Sequence, residues 1–131
     1  MTKTVSILVA RLIFAAVFLM AGAFKFMGTG ETAKFIAAAG FPIPLVLAWL
    51  AAIFEVALVV AFLTGAFFTY AAYLAAVYVV FLGFAFHGPS NWSGNQAEFG
   101  FFVDHFTFLA GLLFAAVHGP GDKWVWRIPR S

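Results

Sequence analysis

Residues 5–26 read VSILVARLIFAAVFLMAGAFKF, an apolar run broken only by Arg11 and Lys25. A helix needs about 20 mostly apolar residues to cross the hydrocarbon core of a bilayer. Three more such runs follow: 45–63, with Glu55 near its middle; 67–86, without a charge; and 99–117, with Asp104 and His105 in its first third. Hydrocarbon offers no partner to exposed backbone N–H and C=O groups, so each run is expected to be helical. The chain therefore reads as one all-α domain over 1–131, a bundle of four transmembrane helices.

Composition agrees: 65% of the 131 residues are hydrophobic, 9% are charged, and the mean hydropathy is +1.05. A soluble domain is about half apolar and about a quarter charged. Four spans leave no room for a second domain, so any catalytic centre must lie in the membrane or come from a partner. The chain has no Cys, which excludes disulfides and thiol redox chemistry within it. A net charge of +2 carried by scattered Lys and Arg is no nucleic-acid signal. Ala21-Gly22-Ala23 after Lys3 and an apolar run imitates a signal-peptide cleavage site. Arg11 interrupts that run early and Lys25 follows the site closely, so the first span is expected to be retained.

In the first loop, Gly28-Thr29-Gly30 and Gly40-Phe41-Pro42-Ile43-Pro44 bracket a short helix predicted over Glu31 to Ala39. Thr29 is its expected N-cap and Glu31 sits in its first turn. Phe35 and Ile36 are expected on one side, which suits a helix at the membrane interface. Pro42 and Pro44 end it and redirect the chain. Gly65 marks a tight second turn. Residues 87–98 form a polar third loop in which Trp92 suits the headgroup region. The tail after Gly119-Pro120-Gly121 carries Lys123, Trp124, Trp126, Arg127 and Arg130. Lys3 at one end and Lys123, Arg127 and Arg130 at the other put both termini in the cytoplasm.

Ionisable residues within a span cost about 2.5 to 3.5 kcal/mol at its centre and usually face protein and pair. At 1.5 Å per residue, Arg11 lies about 9 Å from the inner end of its span and Glu55 about 12 Å from the inner end of its own. An Arg11–Glu55 pair is expected, with two parallel hydrogen bonds. Lys25, at the outer end of the first span, is expected to reach Asp104, which with His105 lies about 8 to 9 Å deep. Arg11, Ala15, Phe18, Gly22 and Lys25 form one helical stripe; Gly100, Asp104, Thr107 and Gly111 form another. Ala48, Ala51, Ala52 and Glu55 share a face, and small residues beside charges suit close helix contacts in lipid. Tyr73 and Tyr78 are candidate hydrogen-bond partners. His87 and His118 sit at span ends and read as solvated. No ligand cluster surrounds His105, so no metal or haem site is expected.

Taken in order, Arg11, Gly22-Ala23-Phe24-Lys25, Gly40-Phe41-Pro42-Ile43-Pro44, Glu55, Gly65, Leu109-Ala110-Gly111-Leu112-Leu113 and Gly119-Pro120-Gly121 resemble the DoxX family of small bacterial four-helix membrane proteins. The resemblance implies a multi-pass protein of the bacterial cytoplasmic membrane. Some relatives are linked to quinone-dependent oxidation of sulfur compounds or to membrane oxidoreductase complexes. Many relatives carry a Lys early in the fourth helix, where this chain has Asp104-His105.

The chain has no nucleotide fingerprint and no haem-attachment motif, so it does not run redox chemistry unaided. The leading expectation is a membrane subunit of a quinone-linked oxidoreductase system. In it, Arg11, Glu55, Lys25, Asp104 and His105 line a buried polar site for a quinone-like or other small molecule, and electrons come from a soluble or membrane-bound partner. A non-enzymatic scaffold or assembly factor is the alternative, and a small-solute carrier, which would need a homo-oligomer, is the third.

Overall fold

The computed structural model describes residues 1–126. They form α1 (Thr2–Met27), α2 (Thr29–Ala38), α3 (Pro44–Thr64), α4 (Phe68–His87), a short 3-10 turn (Pro89–Asn91) and α5 (Gln96–His118). No strand occurs among the described residues. Helices α1, α3, α4 and α5 are each long and apolar enough to cross a membrane. The protein is therefore an all-helical, multi-pass membrane protein, as the apolar runs require. Arg127 and Arg130, used above for orientation, lie outside the described residues.

The helices group into two compact units, Met1–Phe67 with the segment that begins at Pro120, and Phe68–Gly119. In the first, α1 packs antiparallel on α3, and α2 packs mainly on α3. The buried residues of α1 are Arg11, Ala15, Phe18 and Gly22, the stripe expected from their spacing. Opposite them α3 buries Ala48, Ala52, Glu55, Leu58, Val59 and Phe62. The Phe18 and Phe62 rings stack 5.9 Å apart. Alanine and glycine on the facing stripes let the two backbones approach, which is how helices associate when lipid is as apolar as they are.

In the second unit α4 packs antiparallel on α5. A methyl group on Gly83 would lie 3.1 Å from His105 Cβ, so only glycine allows this approach without a shift. Phe84 meets the edges of Phe102 and Phe106.

Several local expectations are corrected. The cap of α2 is Gly28, with Thr29 already helical and no side-chain cap bond. Ile36 is buried while Phe35 is exposed, since neighbours on a helix point about 100° apart. Helix α5 starts at Gln96, three residues earlier than its apolar run, because Asn95 Oδ1 accepts from Glu98 N and caps the helix. The stripe expected to face inward on α5 does not: Asp104 and Thr107 are exposed, and Leu112 and Ala116 are the buried residues. Phe102 and His105 set the side of α5 that meets α4, and Asp104 lies about 100° around from His105.

Candidate functional site

Two charged centres occupy the α1–α3 interface. At the first, Arg11 is 3% exposed and has no carboxylate partner among its hydrogen bonds. Its Nε donates to Phe62 O at 2.9 Å, and Nη2 donates to Leu63 O at 2.8 Å and Trp124 O at 2.7 Å. Nη1 donates to Lys123 O at 2.9 Å and more weakly to Pro120 O at 3.4 Å. A guanidinium has five N–H donors, and here each has a carbonyl.

This cage closes the end of α3. The last four carbonyls of a helix lack intrahelical partners, and in hydrocarbon each must find one. Here Ala61 O accepts from Gly65 N, Phe62 O and Leu63 O from Arg11, and Thr64 O from Trp126 N at 2.6 Å. The cation also sits at the negative end of the helix dipole. Gly65 takes a left-handed backbone (φ 77°), and a methyl group there would lie 3.3 Å from Arg11 Nη2 and 3.1 Å from Val125.

At the second centre, Lys25 Nζ donates to Glu55 Oε1 at 2.6 Å. The Glu55 side chain is 1% exposed and that of Lys25 22%. Such a charge-assisted bond is about twice as strong as a neutral one, and each charge would be costly to bury alone. The ammonium has three donors, of which this contact uses one.

The expected Arg11–Glu55 pair is thus overturned: Glu55 pairs with Lys25, and Arg11 turns to carbonyls. The physical reason is direction. Side chains on a helix lean toward its N-terminus. Arg11 therefore leans toward the start of α1, away from Glu55 and onto the end of α3. Lys25 leans back along α1 while Glu55 leans up along antiparallel α3, so the two meet. Depths of Cα atoms alone do not contain this. The carbonyl cage was also missed because its acceptors are backbone atoms, which no residue type announces; the one available signal was a span-internal Arg near the end of a neighbouring helix.

In the second unit a polar cluster joins α4, the third loop and α5. His87 Nδ1 lies 2.6 Å from Glu98 Oε2, and Trp92 Nε1 donates to His87 O at 2.7 Å. His87 is thus half-buried and paired rather than solvated, whereas His118 is exposed. His105 Nδ1 lies 2.7 Å from Phe101 O, so that nitrogen carries the proton, and its ring is 5.2 Å from that of His87. Asp104 is exposed and makes no ion pair among the described residues. Tyr73 is exposed on α4 and Tyr78 half-buried. No group of three metal-ligating side chains occurs among the described residues.

The Arg11 cage and the Lys25–Glu55 pair both draw on the part of the chain that carries a family signature. The sequence profile of the DoxX family matches residues 6–88, which takes in Arg11, Lys25, Glu55 and Gly65 and stops before α5. Comparison with curated proteins and with solved structures gives no match. With well over half of its length matched, including both buried charge centres, this chain belongs to the DoxX family.

Proposed function

We propose that this protein is a membrane subunit of a quinone-linked oxidoreductase system, and that the Lys25–Glu55 pair holds the carbonyl end of a quinone-like molecule. The observation that carries the reading is an ammonium inside an apolar protein that is fixed by a carboxylate at 2.6 Å yet keeps 22% of its side chain accessible. Its remaining donors suit a carbonyl oxygen. Reduction of a quinone takes up two electrons and two protons. The electrons come from a partner, since the chain has no redox group of its own. The protons pass through Lys25 and Glu55, a relay of the kind that intramembrane carboxylates serve. Lys3 and Lys123 support cytoplasmic termini in a bacterial inner membrane.

The test is binding of a photoreactive quinone analogue to purified protein. Labelling should map to α1 and α3 near Lys25 and Glu55. Glu55→Gln and Lys25→Met should each weaken it by about tenfold, the worth of one good hydrogen bond to a charged group. Protein that neither retains nor binds a quinone, with both variants indistinguishable from the parent, refutes the proposal.

A second reading, a scaffold or assembly factor, is favoured by Arg11. All five donors of that residue are engaged by backbone carbonyls, which leaves the guanidinium a structural task and removes it from the ligand site.

A further inference from the structure

Of the Asp, Glu, Lys and Arg residues inside the apolar runs, Asp104 alone has no partner among the described residues. It lies five residues into the apolar run of α5, about 8 Å along the helix axis. Arg11 is met by carbonyls, Lys25 by Glu55, and His105 by Phe101 O. Asp104 is exposed, with no hydrogen bond or ion pair among the described residues. Acyl chains cannot solvate a carboxylate at this depth, and such residues in a span are met by a partner group.

The surroundings narrow the choice of partner. Helix α5 is the least covered span: 11% of its apolar window is buried, against 28% to 39% for the others. Gly100 has open space where a Cβ would be, and Thr107, on the same flank, keeps its hydroxyl on Val103 O. A short carboxylate can be reached only if an incoming backbone comes close, and this flank permits that. Lys3 and Lys34 lie outside the apolar runs, and no ion pair reaches Asp104 among the described residues. A second copy docked by this same flank about a two-fold axis would set Asp104 against Asp104.

We propose that the Asp104 flank of α5 docks a transmembrane helix of a different protein, one with a lysine or arginine inside its own span. The pairing is independent of any ligand at Lys25–Glu55.

The experiment places a photo-crosslinking residue at position 107, and at 113 as a control on the opposite side of α5, in full-length protein in native membranes. The expected adduct at 107 is a peptide from an apolar span of another protein containing Lys or Arg. Asp104→Asn should lower its yield about tenfold, near the upper range for polar contacts between helices in lipid. Asp104→Lys should abolish it, and converting the partner's basic residue to Asp should restore it. Asp104→Asn should melt like the parent, so loss of the adduct is not loss of the fold. An adduct to a second copy, an adduct to phospholipid alone, or a yield unchanged in Asp104→Asn overturns the proposal.

Discussion

Arg11 and Lys25 sit on one stripe of α1 and do different jobs, because each side chain leans toward the start of its helix. Lysine cannot reproduce the Arg11 cage, having three donors where five are used. Arg11→Lys should therefore destabilise the protein by about 2 to 4 kcal/mol, since each buried carbonyl left unsatisfied costs about 1 to 3 kcal/mol. Thermal unfolding in detergent micelles measures this, and a variant as stable as the parent would show that the carbonyls find other partners. At the other centre, Lys25→Met removes the cation that meets a carboxylate 1% exposed, and breaking a buried pair costs about 3 to 5 kcal/mol. Lys25→Met combined with Glu55→Leu should recover most of it, and a double-mutant cycle reads the coupling directly.

Among elements, the four long helices follow from sequence alone, because the length of an apolar run and the poverty of hydrocarbon as a solvent leave no alternative. The buried face of α1 was equally legible, since Arg11, Ala15, Phe18 and Gly22 recur at helical spacing. The face of α5 was not. Its small residues suggested an inward stripe, yet the aromatic Phe102 and the His105–Gly83 contact decide which side meets α4, and that depends on where another helix lies. Gly83 is the sharp test. Gly83→Leu should separate the pair, while Gly83→Ala should require only a small shift by His105. Thermal unfolding in detergent micelles should place Gly83→Ala close to the parent and Gly83→Leu well below it.

For the molecule as a whole, the tail is the least expected participant. Sequence composition suggested that Lys123, Trp124 and Trp126 belong at a membrane surface, and nothing in their side chains hints that the backbone of this stretch closes α3. Removal of everything after Gly119 deletes the acceptors Pro120 O, Lys123 O and Trp124 O and the donor Trp126 N. It should lower stability by about as much as Arg11→Lys, and the two changes together should cost clearly less than their sum. Full additivity would mean that the tail and Arg11 act separately.

The same closure sets an order of events during synthesis. Helix α1 carries a guanidinium, and three of its acceptors lie in residues 120–124, made only after α5. Until that stretch emerges from the ribosome the charge is incompletely housed, so a chain halted after α5 carries an unsettled cation at the lipid boundary.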